Sequence, residues 1–358
     1  LVKDSLKTLQ ELAKLHRSKL NAKIIAITGS NGKTTSKELI YSVLSQKFNT
    51  VSTIGNLNNH IGVPLSILSL STETEIGIIE MGANHLNEIK FLCEIANPQI
   101  GYITNFGKAH LEGFGSKISI IKGKSELYNY LKETNGLAII NGNDKKQLKL
   151  TQKNKRFIFG NNEKADLNIT PKNVNSNKII LRYNNFDFES NMIGSYNVSN
   201  VSVAIAFGLF FKIPKKNIMQ GLKKYSALNN RSQWVKKGTN LILMDAYNAN
   251  PSSMKASINA FIENTKKNRI IILGDMEELG KYSKSEHQKI ANKLQKIDIE
   301  LLILIGKTFS EVDYEKNNFK KFNNPEDASK FLNNKKWFNK NFLLKGSRKN
   351  KLEEIINF

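Results

Sequence analysis

Lys23-Ile-Ile-Ala-Ile-Thr28, running directly into Gly29-Ser-Asn-Gly-Lys-Thr-Thr35, decides the fold class of this chain. The four consecutive apolar residues Ile24 to Ile27 read as a short buried strand, and Lys33 to about Gln46 reads as a helix. A strand that passes through a glycine turn into a helix is the context a phosphate loop requires. Gly29 and Gly32 let the backbone around Ser30 and Asn31 approach phosphate oxygens, and the helix N-terminus adds partial positive charge. Lys33 is placed to reach the terminal phosphates and the Thr34 hydroxyl to hold Mg²⁺, with Thr35 completing the turn into the helix. The long form of this motif starts with a glycine where this chain has Ile27, so the loop is a short one.

Working outward, Leu6, Leu9, Leu12, Ala13, Leu15 and Leu20 recur at helical spacing, which predicts a linker helix within residues 1–22. After the loop come apolar strand candidates at Ile76–Glu80, Ile100–Thr104 and Leu137–Ile140, with a helical stretch at Ser116–Leu131. Alternation of this kind predicts a parallel sheet with crossover helices. Residues 142–193 are rich in Lys and Asn. Short alternating pieces there, Arg156–Phe159 and Ile179–Tyr183, predict a small antiparallel β subregion. Asn197–Phe211 returns to a helical pattern, and Asn229-Asn-Arg-Ser232 suggests a boundary. Beyond it, strand candidates Leu241–Asp245, Arg269–Leu273, Leu301–Ile305 and Asn341–Leu344 alternate with helices. The expected architecture is α/β: a phosphate-loop parallel-sheet domain with a small β subregion over 23–225, then a Rossmann-like α/β domain over 226–358.

Composition narrows the functional classes. The 358 residues carry 54 Lys plus Arg against 31 Asp plus Glu, a net charge of +23, with 40% hydrophobic residues. That apolar content excludes a disordered chain. The single Cys93 excludes a disulfide framework and a cysteine-built zinc site, and suits a reducing, cytoplasmic compartment. No apolar run approaches the ~18 residues of a membrane span. Although +23 invites a nucleic-acid reading, the lysines are scattered and Asn, which adds nothing to phosphate electrostatics, is equally abundant. A compositional drift toward Lys and Asn accounts for both excesses.

Several polar residues stand where chemistry would need them. Glu80 ends an apolar strand, where a carboxylate projects from the carboxyl edge of the sheet as a hard oxygen ligand for Mg²⁺. Arg231, at the boundary, offers a fixed guanidinium to a phosphoryl group. Asp245 ends a strand of the second domain and is followed by Tyr247, Asn248 and Asn250 in a turn stiffened by Pro251. Lys345-Gly-Ser347-Arg348 follows the last strand, a backbone turn flanked by two cations that suits a free carboxylate.

The short phosphate loop resembles that of the Mur ligase family of ATP-dependent amide-bond-forming enzymes. Five further segments carry the resemblance in family order: Gly55-Asn-Leu-Asn-Asn-His-Ile-Gly-Val-Pro64, Glu80-Met-Gly-Ala-Asn-His85, Ala109-His-Leu-Glu-Gly-Phe-Gly115, Asp245-Ala-Tyr-Asn-Ala-Asn-Pro251 and Leu344-Lys-Gly-Ser-Arg348. The loop around Asn58 and Asn59 and the Asp245 turn are most similar to the branch that adds D-alanyl-D-alanine to UDP-muramoyl-tripeptide. The resemblance implies an enzyme of small-molecule substrates that acts as a monomer, with no nucleic-acid or membrane partner. It implies that a substrate carboxylate attacks the γ-phosphate of ATP, and that the dipeptide amine then attacks the resulting acyl phosphate. It assigns Asn200, rather than Asn197, to adenine, Asp245 to closure over ATP, and Asn58, Asn59, Asn248, Asn250, Lys345, Ser347 and Arg348 to substrates. It also implies two Mg²⁺ ions held by Thr34, Glu80, His110 and a carbamylated Lys124, preferred over Lys122, with Lys33, Lys124, His110 and Arg231 in catalysis.

The same resemblance implies that ATP and the amine meet between two domains joined near residue 225. Ligases of this type begin with a further domain that grips the UDP end of the substrate. Here the phosphate loop starts at Thr28, so the expectation is retained ATP binding with weak ligase activity. Two rivals are a sister ligase of the folylpolyglutamate or another Mur type and a basic nucleic-acid-stimulated ATPase.

Overall fold

The computed structural model describes residues 1–174, 178–226 and 231–355, and groups them into two compact units. Asn229 and Asn230, expected at the boundary, lie outside the described residues. The first unit comprises residues 1–107 and 114–226; the second comprises 108–113 and 227–358, within the described limits.

The first unit is built on a seven-stranded sheet: β1 Lys23–Thr28, β2 Thr50–Ser52, β3 Ile76–Glu80, β4 Ile100–Ile103, β5 Leu137–Asn141, β6 Lys155–Gly160 and β7 Leu167–Asn168. Their spatial order is β2-β3-β1-β4-β5-β6-β7, and every pairing is parallel. Ile24 to Thr28 are all buried, because β1 is central and covered on both faces, which is why it reads as one apolar run. The chain leaving β1 turns toward β2, whereas the chain leaving β4 turns toward β5. Between two such diverging loops an open α/β sheet presents its ligand crevice. The helix Ser5–Ser18 packs on this unit. Its buried Arg17 donates to the carbonyls of Ala96, Asn97 and Leu20, satisfying the C-terminal end of the helix Glu88–Ala96.

The antiparallel subregion is smaller than its composition suggests. It holds β8 Thr170–Val174, β9 Ile179–Tyr183 and β10 Phe186–Ser190. Arg156–Phe159, expected there, instead lies in β6 and pairs in parallel with β5. Phe157 packs on Phe210 and Phe159 on Tyr102, so the face that carries both rings is covered despite the strand's polar start at Lys155 and Arg156.

The second unit carries a six-stranded sheet of β11 Gln233–Lys237, β12 Asn240–Asp245, β13 Arg269–Gly274, β14 Leu301–Ile305, β15 Phe319–Phe322 and β16 Asn341–Lys345. The order is β11-β12-β16-β13-β14-β15, antiparallel at β11–β12 and parallel elsewhere. Ile242, Ile270, Ile272, Ile303, Phe342 and Leu344 form its core. The carboxyl ends of β12 and β16 lie side by side, with Asp245 opposite Lys345.

Candidate active site

The phosphate loop closes as a left-handed turn. Gly29 has φ +136° and Gly32 φ +80°, conformations that favour glycine. Space excludes a side chain as well: a Cβ on Gly29 would lie 2.0 Å from Thr104 Oγ1, and one on Gly32 2.7 Å from Asn200 Oδ1. Gly32 also caps the helix Lys33–Leu44 without any side-chain hydrogen bond, so the helix opens on backbone N–H groups. Lys33 Nζ donates to Gly29 O at 2.9 Å, folding the ammonium back over the loop. Thr34 and Thr35 occupy the first turn of that helix.

Asn200, expected to meet adenine, is buried beneath the loop. Its Oδ1 accepts from Ser36 Oγ at 3.0 Å and its Nδ2 donates to Asn197 Oδ1 at 2.8 Å. Asn197 in turn donates to Ile193 O, so the two asparagines form one chain supporting the Gly32 turn.

Glu80 closes β3 and is 1% exposed. Its Oε1 accepts from Asn58 Nδ2 at 2.7 Å, while its Oε2 is buried with no hydrogen-bond partner and lies 3.9 Å from Lys37 Nζ. A buried carboxylate oxygen without a hydrogen bond is costly, and the Lys37 ammonium 3.9 Å away compensates it only in part, which makes Glu80 fit a hard cation. Lys37 escaped sequence reasoning. It is fully buried, donates to Thr53 O and Gly55 O, and fixes the loop that carries Asn58. Asn59 Oδ1 accepts from Ile61 N and Gly62 N just where the next helix begins, so its side chain is turned to the backbone.

Lys124 is fully buried, whereas Lys122 is exposed. Its Nζ donates to Ala83 O at 2.9 Å and lies 5.2 Å from the centre of the Phe114 ring. Burial, and after it the neighbouring charge of Lys33, hold this amine well below the ordinary lysine range, against the opposing pull of Glu88 and Glu126. Glu126 was a second unforeseen residue: its carboxylate accepts from Asn87 N and Lys90 N at the start of the helix Glu88–Ala96.

The remaining candidates belong to the second unit. His110, with φ +54°, turns its Nδ1 to the carboxylate of Glu278, leaving Nε2 to another partner. Nearby, Lys108 pairs with the buried Glu286 at 2.8 Å. Arg231 stacks on Tyr247 with its guanidinium carbon 3.5 Å from the ring centre, and Arg348 stands 5.7 Å from the same ring. Lys345 is 2% exposed and meets Asp245 Oδ2 at 2.9 Å while donating to Asn248 O and Asp245 O. Ser347 Oγ accepts from Glu277 N. Asn250 caps the helix Pro251–Asn264 in a capping box with Ser253. Asn248 and Arg348 are exposed. Among the described residues no three His, Cys, Asp or Glu side chains gather as a metal cluster. The expected Mg²⁺ set draws on Thr34 and Lys124 as well, and its members fall in both units.

A parallel sheet whose central strand ends in a short phosphate loop, followed by a second α/β unit, defines a phosphate-loop α/β enzyme. Residues 27–208 match the Mur ligase middle domain and residues 230–337 the Mur ligase glutamate ligase domain, and the chain belongs to the Mur ligase family. It is 33% identical to the UDP-N-acetylmuramoyl-tripeptide–D-alanyl-D-alanine ligase of Bacillus subtilis, over 99% of this chain and 80% of that one. Among solved structures it is similar to MurF from Acinetobacter baumannii, with TM-score 0.89, 30% identity and coverage of 99% of this chain and 80% of that one. MurF from Thermotoga maritima in complex with ADP gives TM-score 0.87 at 26% identity, covering 99% and 83%. Among the described residues no helix is long and apolar enough to cross a membrane.

Proposed function

We propose that this chain is an ATP-dependent ligase that joins D-alanyl-D-alanine to UDP-N-acetylmuramoyl-tripeptide, a cytoplasmic step in making peptidoglycan precursors. The observation that carries the reading is the glycine-closed phosphate loop, with Lys33 folded over it, in a chain 33% identical to a ligase of that name along nearly its whole length.

In this reading the terminal carboxylate of the tripeptide attacks the γ-phosphorus of ATP, and ADP leaves. The dipeptide amine then adds to the acyl carbon, loses a proton, and expels phosphate as the amide forms. The protein's contribution is mainly positioning and neutralisation of charge. Lys33 moves from Gly29 O to the phosphates, and the N-terminus of its helix faces the same anion. Arg231, held flat on Tyr247, offers two parallel N–H donors to the transferring phosphoryl group. Thr34 and Glu80 would hold one Mg²⁺, with His110 and a carbamylated Lys124 for a second, and bound ions would screen the attacking carboxylate from the phosphate it approaches. The lack of a hydrogen bond to the buried Glu80 Oε2 supports the first assignment. For the second, the depressed amine of Lys124 supports carbamylation, since only a neutral amine adds to CO₂.

The test is phosphate release from ATP with saturating UDP-muramoyl-tripeptide, with and without D-alanyl-D-alanine. Release that depends on the dipeptide supports the reading, and release indifferent to it overturns it.

A further inference from the structure

The loop that follows β4 does more than pass under the phosphate loop. Asn105, two residues beyond the end of β4, meets the crest of that loop with its backbone and both ends of its side chain. Asn31 N donates to Asn105 Oδ1 at 3.2 Å, and Asn105 Nδ2 donates to Asn31 O at 2.9 Å, so one amide side chain closes a reciprocal pair around a single loop residue. Ser30 N donates to Asn105 O at 3.1 Å, and Ser30 Oγ donates to Gly107 O at 2.9 Å. On the strand side, Thr104 N donates to Thr28 O at 2.9 Å, and Thr104 fills the space a Gly29 side chain would need.

These bonds sort the donors of the loop. The N–H groups of Ser30 and Asn31 point at Asn105, and the turn at Gly32 and the opening of the helix Lys33–Leu44 are what the loop offers to an anion. We propose that Asn105 is a positioning residue for nucleotide binding: it fixes the Asn31 peptide so that the donors from Gly32 onward are preset for phosphate before the nucleotide arrives. An asparagine is suited to this because it accepts and donates on one rigid plane, whereas an aspartate can only accept. Pre-set donors spare the ligand the cost of ordering the loop, so the effect falls on nucleotide affinity rather than on folding.

The inference rests on the reading of the loop as a nucleotide site, and the experiment separates the two. ADP binding is measured by titration calorimetry for the full chain and for Lys33→Ala, Asn105→Ala and Asn105→Asp, with the melting temperature of each protein free of ligand. The KM for ATP, for UDP-muramoyl-tripeptide and for D-alanyl-D-alanine is measured alongside. Asn105→Ala should bind ADP about tenfold more weakly, and Asn105→Asp at least as weakly, because a second carboxylate oxygen then faces Asn31 O. The KM for ATP should rise while those for the other two substrates hold, and the ligand-free melting temperatures should stay near that of the parent. Should the alanine variant not fold, the isosteric aspartate carries the same test. Unchanged ADP affinity in a folded Asn105 variant beside loss in Lys33→Ala overturns this proposal alone. Equal rises in all three KM values, with a lowered melting temperature, overturn it too, since they mark a scaffold residue. Full ADP affinity in Lys33→Ala removes the nucleotide reading, and this proposal with it.

Discussion

Lys345 Nζ lies 2.9 Å from Asp245 Oδ2, joining the carboxyl ends of two adjacent parallel strands of the second unit. The lysine is 2% exposed, and it also donates to the carbonyls of Asp245 and Asn248. Its first task is therefore to shape the turn Asp245–Pro251. Removing one partner of a buried pair strands the other charge, which typically costs several kcal/mol. Lys345→Ala is expected to destabilise the second unit by about 3 kcal/mol. Both tryptophans of the chain, Trp234 and Trp337, lie in that unit, so denaturant unfolding followed by their fluorescence reads it directly. An unchanged midpoint would return Lys345 to a purely substrate-facing role.

The glycines of the phosphate loop make a sharper prediction. Gly29→Ala would add a Cβ 2.0 Å from Thr104 Oγ1 at φ +136°, so the loop cannot keep its shape. ADP affinity is expected to fall by about a hundredfold or more. Gly55→Ala is the control: it too has positive φ, but its Cβ would meet nothing within 4 Å. Calorimetric titration with ADP should separate the two, and equal affinities would contradict the steric account.

Asn250 illustrates a residue with two claims on it. Its side chain accepts from Ser252 N and Ser253 N, while Ser253 Oγ accepts from Asn250 N. Loss of such a cap costs about 1 kcal/mol. Asn250→Ser should retain most of that stability and Asn250→Ala should not. If the two variants unfold together in urea, the cap contributes nothing measurable.

The second unit also contains a buried histidine. His287 Nδ1 donates to Ser283 O and its Nε2 accepts from Met276 N, an arrangement that requires the neutral ring. Burial pushes its pKa below the usual 6.5, although the Ser283 carbonyl, Asp275, Glu277 and Glu286 all pull the other way. Below 6.5 the unfolded chain takes up this proton more readily than the folded one. The stability is therefore complete above pH 6.5 and is lost as pH falls through the depressed folded value. Unfolding midpoints of the second unit should drop between pH 7.5 and pH 5, and His287→Gln should flatten that slope. A slope unaltered by the substitution would assign it to other groups.

What the sequence made legible is local. The strand–glycine–helix order of residues 23–46 and the apolar run ending at Glu80 could be read directly, because each is written in adjacent residues. Lys124 could be picked out only by resemblance, since nothing in its neighbourhood announces a fully buried amine. Asn105, Lys37 and Glu126 were missed because their partners, Asn31, Thr53 and Asn87, lie far away along the chain. Arg156–Phe159 was misplaced because a polar start on a short alternating strand looks antiparallel until Phe210 and Tyr102 cover it. Polar residues grouped by motif as substrate contacts, among them Asn59, Asn250 and Ser347, also hold backbone groups, a task that the motif does not announce.

The central claim is that a tripeptide carboxylate is activated by phosphorylation and then captured by D-alanyl-D-alanine. It is tested most directly with UDP-muramoyl-tripeptide carrying ¹⁸O in both oxygens of its terminal carboxylate, incubated with ATP, Mg²⁺ and the dipeptide, with products read by mass spectrometry. The account predicts UDP-muramoyl-pentapeptide retaining one ¹⁸O in the new amide carbonyl, and one ¹⁸O in each phosphate released. Phosphate free of ¹⁸O, or ATP turnover with no pentapeptide, would contradict it.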